Sequence, residues 1–118
     1  MLYTNLTHLE TARDLGNMIR ENENVLVVCG RMDPLCVHLY RIVETLEKEY
    51  SDIKFCDMEF DNPESLVVRE TPEIEFSSNV PFIVYYHYGI VVTATSGLQT
   101  KMQITNNINE LFLKTEKV

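Results

Sequence analysis

The stretch Asn24-Val25-Leu26-Val27-Val28-Cys29-Gly30-Arg31-Met32-Asp33-Pro34-Leu35-Cys36 decides the fold. Its first six residues form a short, continuous, valine-rich run, the pattern of a central strand buried on both faces. Gly30-Arg31-Met32 interrupts it, and Asp33-Pro34 follows. Aspartate is a strong helix N-cap and proline suits the first helical position, so a helix opens there. Leu39, Ile42, Val43 and Leu46 then recur at helical spacing and extend that helix to about Tyr50. Strand and helix are thus joined by only three residues.

Outward from this unit, strand-like and helix-like stretches alternate. Toward the N-terminus, Thr7-His8-Leu9-Glu10 fits a capping box, and Leu9, Ala12, Leu15, Met18 and Ile19 predict a helix from about His8 to Glu21. A short strand at Leu2–Asn5 would precede it. Toward the C-terminus, Ile53–Phe60 reads as a strand and Asn62-Pro63 opens a short helix over Glu64–Arg69. The acidic Glu70–Asn79, broken by Pro72, reads as a loop. Phe82–Tyr86 and Ile90–Thr95 are strands of a hairpin turned by Tyr86-His87-Tyr88-Gly89, where the glycine can take a positive φ. Gly97 ends the second strand, and Thr100 caps a last helix carrying Met102, Ile104, Ile108, Leu111 and Phe112. A βαβ unit, a hairpin and a closing helix imply an α/β fold, a mixed sheet with helices on both faces.

The 118 residues are one domain's worth, expected to span 1–118 without a linker or repeat. Hydrophobic residues make up 45% and charged residues 24%, which excludes disordered and fibrous classes. Eighteen acidic against ten basic side chains give a formal charge of −8. So acidic a chain is not built for nucleic acid or anionic lipid, whose phosphates need an excess of Lys and Arg. No apolar run approaches the roughly 20 residues of a membrane span, and MLYTNLTHLE lacks the parts of a signal peptide. With three cysteines and no signal, the expectation is a reducing, cytoplasmic setting.

These elements, with these residues, resemble the thioredoxin family over nearly the whole chain. Asn24–Cys29 is similar to the strand that delivers the family's active site, and Cys36–Tyr50 follows its long active-site helix from the second cysteine. Phe60-Asp61-Asn62-Pro63 resembles the strand end and turn before the third helix, and Val80-Pro81 the cis-proline element. Phe82–Gly89 resembles the next strand and its lysine-asparagine-glycine-type turn, and Gly97–Ile104 the start of the last helix. The resemblance implies the thioredoxin fold. It also implies a substrate groove shaped by Pro81 and bordered by Met32 and Asp33, where Val80 offers its backbone to an extended peptide. In that groove the Val80–Pro81 bond is cis.

The catalytic motif departs from the family. Where the family reads tryptophan-cysteine-glycine-proline-cysteine, this chain reads Met32-Asp33-Pro34-Leu35-Cys36, so that Asp33 takes the nucleophile's place. Val27 stands for the family's buried acid and Asp57 for the lysine usually near it. Cys29 is new, and Cys29-Gly30-Arg31-Met32-Asp33-Pro34-Leu35-Cys36 offers a C-x6-C pair in a fold where the strand feeds directly into the helix. A disulfide closing that loop would stabilise the oxidised form by about 2.5 kcal/mol before strain. The helix N-terminus favours a Cys36 thiolate, the Asp33 carboxylate opposes it, and Arg31 offsets the carboxylate in part.

Other residues read more plainly. By composition Cys29 is equally a small buried hydrophobe, and Cys56 reads as structural. No close-paired metal spacing is present, and neither a metal nor a cofactor is expected. His38 and His87 lack a matched nucleophile, Tyr85, Tyr86 and Tyr88 read as strand residues with polar tips, and Asp57, Glu59 and Asp61 as one solvated face. Two functions stay open. One is an atypical thioredoxin-like thiol–disulfide oxidoreductase with Cys29 and Cys36 as its redox pair, acting on protein thiols or disulfides. The other is a redox-inactive module that binds a protein partner through the same groove.

Overall fold

The computed structural model describes residues 2–72 and 80–113. In chain order the elements are β1 (Thr7–His8), α1 (Ala12–Glu21), β2 (Asn24–Gly30), α2 (Pro34–Glu47) and β3 (Lys54–Glu59). A 3-10 turn (Pro63–Ser65), α3 (Leu66–Arg69), β4 (Phe82–His87), β5 (Ile90–Ser96) and α4 (Lys101–Leu111) follow. The five strands form one mixed sheet in the order β1-β3-β2-β4-β5. β3 runs parallel to β1 and β2, and β4 is antiparallel to β2 and β5.

Every residue of β2 is buried, because the strand is central and has helices on both sides. Its side chains alternate between two core layers. Leu26 and Val28 pack with Leu39, Tyr40 and Val43 of α2 and with Ile104 and Ile108 of α4. Val25, Val27 and Cys29 pack with Leu15 of α1 and Val68 of α3. Each such valine or leucine, fully buried, contributes on the order of 2 kcal/mol of transfer free energy.

The N-terminal reading needs correction. No strand forms over Leu2–Asn5. Instead Thr7 and His8 pair with Cys56 and Asp57, and the Leu9 amide donates to the Asp57 carbonyl at 2.8 Å. That ladder removes His8 and Leu9 from the helix, which starts at Ala12. The capping box is Thr11 with Asp14, not Thr7 with Glu10. At its other end α2 stops at Glu47, three residues before Tyr50. Most of the acidic Glu70–Asn79 segment lies outside the described residues. Among the described residues, no helix is long and apolar enough to cross a membrane.

Candidate functional site at the start of helix α2

Asp33 is the N-cap of α2, with extended backbone (φ −115°, ψ 168°), and Pro34 follows in the first turn. The Cys36 amide donates to Asp33 Oδ1 at 2.9 Å, satisfying one of the unpaired donors of the helix start. That bond and a second contact to Cys36 hold the Asp33 carboxyl below its usual range.

Behind the cap lies a tight knot of four residues. The Arg31 amide donates to Cys36 Sγ at 3.3 Å, and the Tyr40 hydroxyl donates to the Arg31 carbonyl at 2.8 Å. A Cβ at Gly30 would sit 2.6 Å from the Tyr40 hydroxyl, 2.9 Å from Cys36 Sγ and 3.4 Å from Pro81 Cβ. Only glycine fits this crossing of strand and helix. The Val80–Pro81 peptide bond is cis, and the Pro81 carbonyl accepts the Gly97 amide at 2.8 Å. Cys36 and Pro81 thus meet over Gly30, with Asp33 bonded to Cys36 on the helix side. Met32 and Leu35 are apolar but 40% and 56% exposed beside them, and Val80 is half-buried.

The two cysteines of the expected pair are not brought together. Cys29 and Cys36 are both 0% exposed, but Cys29 packs in the α1/α3 layer and Cys36 in the α2/α4 layer. The cause is the two-residue period of β2, which sends position 29 to the face opposite Val28 and Gly30. All three cysteines are free thiols, and burial pushes Cys29 and Cys56 up to about 12. Burial also raises Cys36. The Arg31 amide lowers it in part, while the hydrogen bond and negative charge of Asp33 raise it further.

Arg31 does little to counter Asp33, because its guanidinium forms a two-point ion pair with Asp61 (2.8 and 3.1 Å). It also lies over the Phe60 ring, 4.7 Å from the centroid. His38 is exposed on α2, and His87 is bonded to Asn24. Among the described residues, no three His, Cys, Asp or Glu side chains converge as metal ligands.

One cluster escaped the sequence reading. Asp57, expected on a solvated face, is 1% exposed. It accepts the Thr4 hydroxyl and sits 2.8 Å from His8 Nδ1. Burial raises its pKa, and the Thr4 and His8 hydrogen bonds restrain the rise. An acid inside the apolar run Phe55-Cys56-Asp57-Met58 was the available signal; its partners lie about fifty residues upstream.

No family model matches the chain, and no curated protein matches it in sequence. Solved structures do match it. One is a chain from the structural study of the thiol resolving mechanism in yeast mitochondrial 1-Cys peroxiredoxin (TM-score 0.76, 19% identity, covering 94% of this chain and 100% of that chain). Another is mitochondrial thioredoxin 3 of Saccharomyces cerevisiae in its oxidised form (TM-score 0.75, 19% identity, 90% and 95% covered). A third is Fasciola hepatica thioredoxin (TM-score 0.75, 23% identity, 89% and 98% covered).

Proposed function

The chain has the thioredoxin fold, and we propose that it works as a protein-binding module that does not turn over disulfides. An extended segment of a protein partner docks on the groove of Met32, Asp33, Val80 and Pro81, hydrogen-bonding to the Val80 backbone. The observation that carries this reading is the Asp33–Cys36 bond. The helix N-terminus, where a thiolate would be stabilised, is capped by a carboxylate, and the nearest thiol is buried behind it. Burial and the Asp33 carboxylate both raise the Cys36 pKa, so at pH 7 this thiol is less ionised than a free cysteine and a poorer nucleophile.

A second reading, thiol–disulfide exchange, draws support from the position of Cys36 next to Pro81. A Cys36 thiolate would attack a partner disulfide and release one partner thiolate. Cys29 would then attack the mixed disulfide, leaving a Cys29–Cys36 disulfide and a reduced partner. For this Cys29 would have to turn from its own layer past the end of β2.

Substituting both residues separates the readings. With a photo-crosslinking side chain at Met32, a binding module captures the same partner from cells in the wild type and in the Cys29→Ala/Cys36→Ala variant. It also reduces insulin no faster than dithiothreitol alone. Capture that depends on Cys36, or insulin reduction that Cys36→Ala abolishes, would establish exchange instead.

A further inference from the structure

β2 runs from Asn24 beside His87 to Cys29 beside Phe82, so the β4–β5 turn lies at the end of the sheet opposite the groove. There a cavity of about 490 Å³ opens between the last turn of α1, the Asn22–Glu23 connection and the Tyr88–Gly89 turn.

The sequence makes two unfavourable choices around it. Tyr88 has φ 53° and Gly89 φ 78°. Asparagine, aspartate or glycine normally takes the first of these positions, and a bulky side chain there is strained. Packing does not account for the tyrosine, which is 68% exposed. Gly16 sits inside α1, where alanine would favour the helix, yet a Cβ there would meet nothing closer than Arg20 Nη1 at 4.0 Å.

The Tyr88 ring is braced. It meets the His87 ring edge-on at 4.6 Å, and His87 is held by Asn24 Oδ1 at 2.5 Å and stacked on Phe112 at 6.2 Å. The Tyr88 amide donates to the Glu23 carbonyl at 2.7 Å. Glu23 and Tyr88 both line the cavity, and the Glu23 charge raises the pKa of the Tyr88 hydroxyl.

The electrostatics around the cavity are negative. Exposed Glu21 and Glu23 line it, and the C-terminal end of α1 adds its carbonyls. The Ile19 carbonyl lies 3.5 Å from where a Gly89 Cβ would stand. Arg20 also lines the cavity; its guanidinium bonds to Asn17 Oδ1 and its Nη1 lies 4.0 Å from where a Gly16 Cβ would stand, so the acidic groups act on the side of Tyr88.

We propose that this cavity binds an organic cation, a guanidinium or alkylammonium group. The Tyr88 ring supplies the π face and Glu21, Glu23 and the end of α1 supply the countercharge. The chain's charge of −8 draws such a ligand in. Its source is either a free amine or an Arg or Lys side chain of another protein.

NMR titration of the full chain with butylguanidinium tests the site, with acetyl-Gly-Arg-Gly-amide as a second arm and sodium chloride as the ionic-strength control. Saturable shifts of the Gly16, Tyr88 and Gly89 amides are expected, with upfield ring-current shifts of the ligand methylenes. Glu23→Gln weakens binding at least fivefold. Tyr88→Asn does the same without lowering the thermal midpoint, because asparagine accepts the positive φ. Should its midpoint fall, Glu23→Gln decides alone. Tighter binding of the peptide than of butylguanidinium assigns a protein side chain as ligand, and equal or weaker binding a free amine. Shifts that never saturate, that sodium chloride reproduces, or that Glu23→Gln leaves unchanged would overturn the proposal.

Discussion

The carboxylate of Asp33 accepts the backbone amide of Cys36 at 2.9 Å while its charge opposes ionisation of the Cys36 thiol. Cap and charge are separable. Asp33→Asn keeps an oxygen that accepts the amide and removes the charge, so the Cys36 pKa falls toward the ordinary thiol range. The pH profile of Cys36 alkylation, read by peptide mass spectrometry, should shift to lower pH while those of Cys29 and Cys56 stay in place. An unmoved Cys36 profile would mean that burial alone sets its pKa.

Asp33→Cys goes further. It puts a thiol at the helix N-cap, with Cys36 three residues along to resolve a mixed disulfide. The variant should reduce insulin faster than the wild type, by at least tenfold over the dithiothreitol background. A folded variant without activity would mean that the groove no longer admits disulfide substrates, a result that favours the binding-module reading.

Gly30→Ala forces a methyl group to within 2.6 Å of the Tyr40 hydroxyl and 2.9 Å of Cys36 Sγ. Both neighbours are fully buried, so the strain has little room to relax. Urea denaturation should show a loss of about 2 kcal/mol. Tyr40→Phe removes the closest clashing atom. In the double variant the loss should therefore be smaller than the sum of the two single losses, by at least about 0.5 kcal/mol.

Asp57 gives stability a pH dependence of known sign. Its folded pKa lies above the ordinary 3.8, so the native state holds the proton more tightly than the unfolded chain. Stability from this group is fully present below 3.8 and declines as pH rises through the higher folded value. Asp57→Asn removes that slope. The difference in unfolding free energy, wild type minus variant, should fall as pH is raised across this window. Asp57→Ala, which strands Thr4 and His8 without their acceptor, should be less stable than Asp57→Asn by about 2 kcal/mol across that range.

Legibility from sequence followed the distance over which the signals act. β2, the Asp33 cap and the Pro34 start of α2 are written in adjacent residues and were read at their positions. The start of α1 was misplaced because Thr7-x-x-Glu10 and Thr11-x-x-Asp14 offer the same hydroxyl–carboxylate spacing. Only the ladder from Thr7 and His8 to Cys56 and Asp57 decides between them. The separation of Cys29 from Cys36 was in principle readable, since position 29 shares its parity with Val25 and Val27. A buried Asp57 was not, because the groups that satisfy it are brought in by the fold.

Among the described residues, the two-residue strand β1 is the one strand on the outer edge of β3. A ladder so short would ordinarily fray and leave a row of unpaired amides and carbonyls to recruit strands from other molecules. Here fraying would also tear Thr4 and His8 from Asp57 and leave a carboxylate without partners in the protein interior. The acid thus acts as a latch. It adds the loss of the Thr4 and His8 hydrogen bonds to the loss of the backbone ladder when the N-terminal segment opens, and so disfavours edge-to-edge pairing through β3.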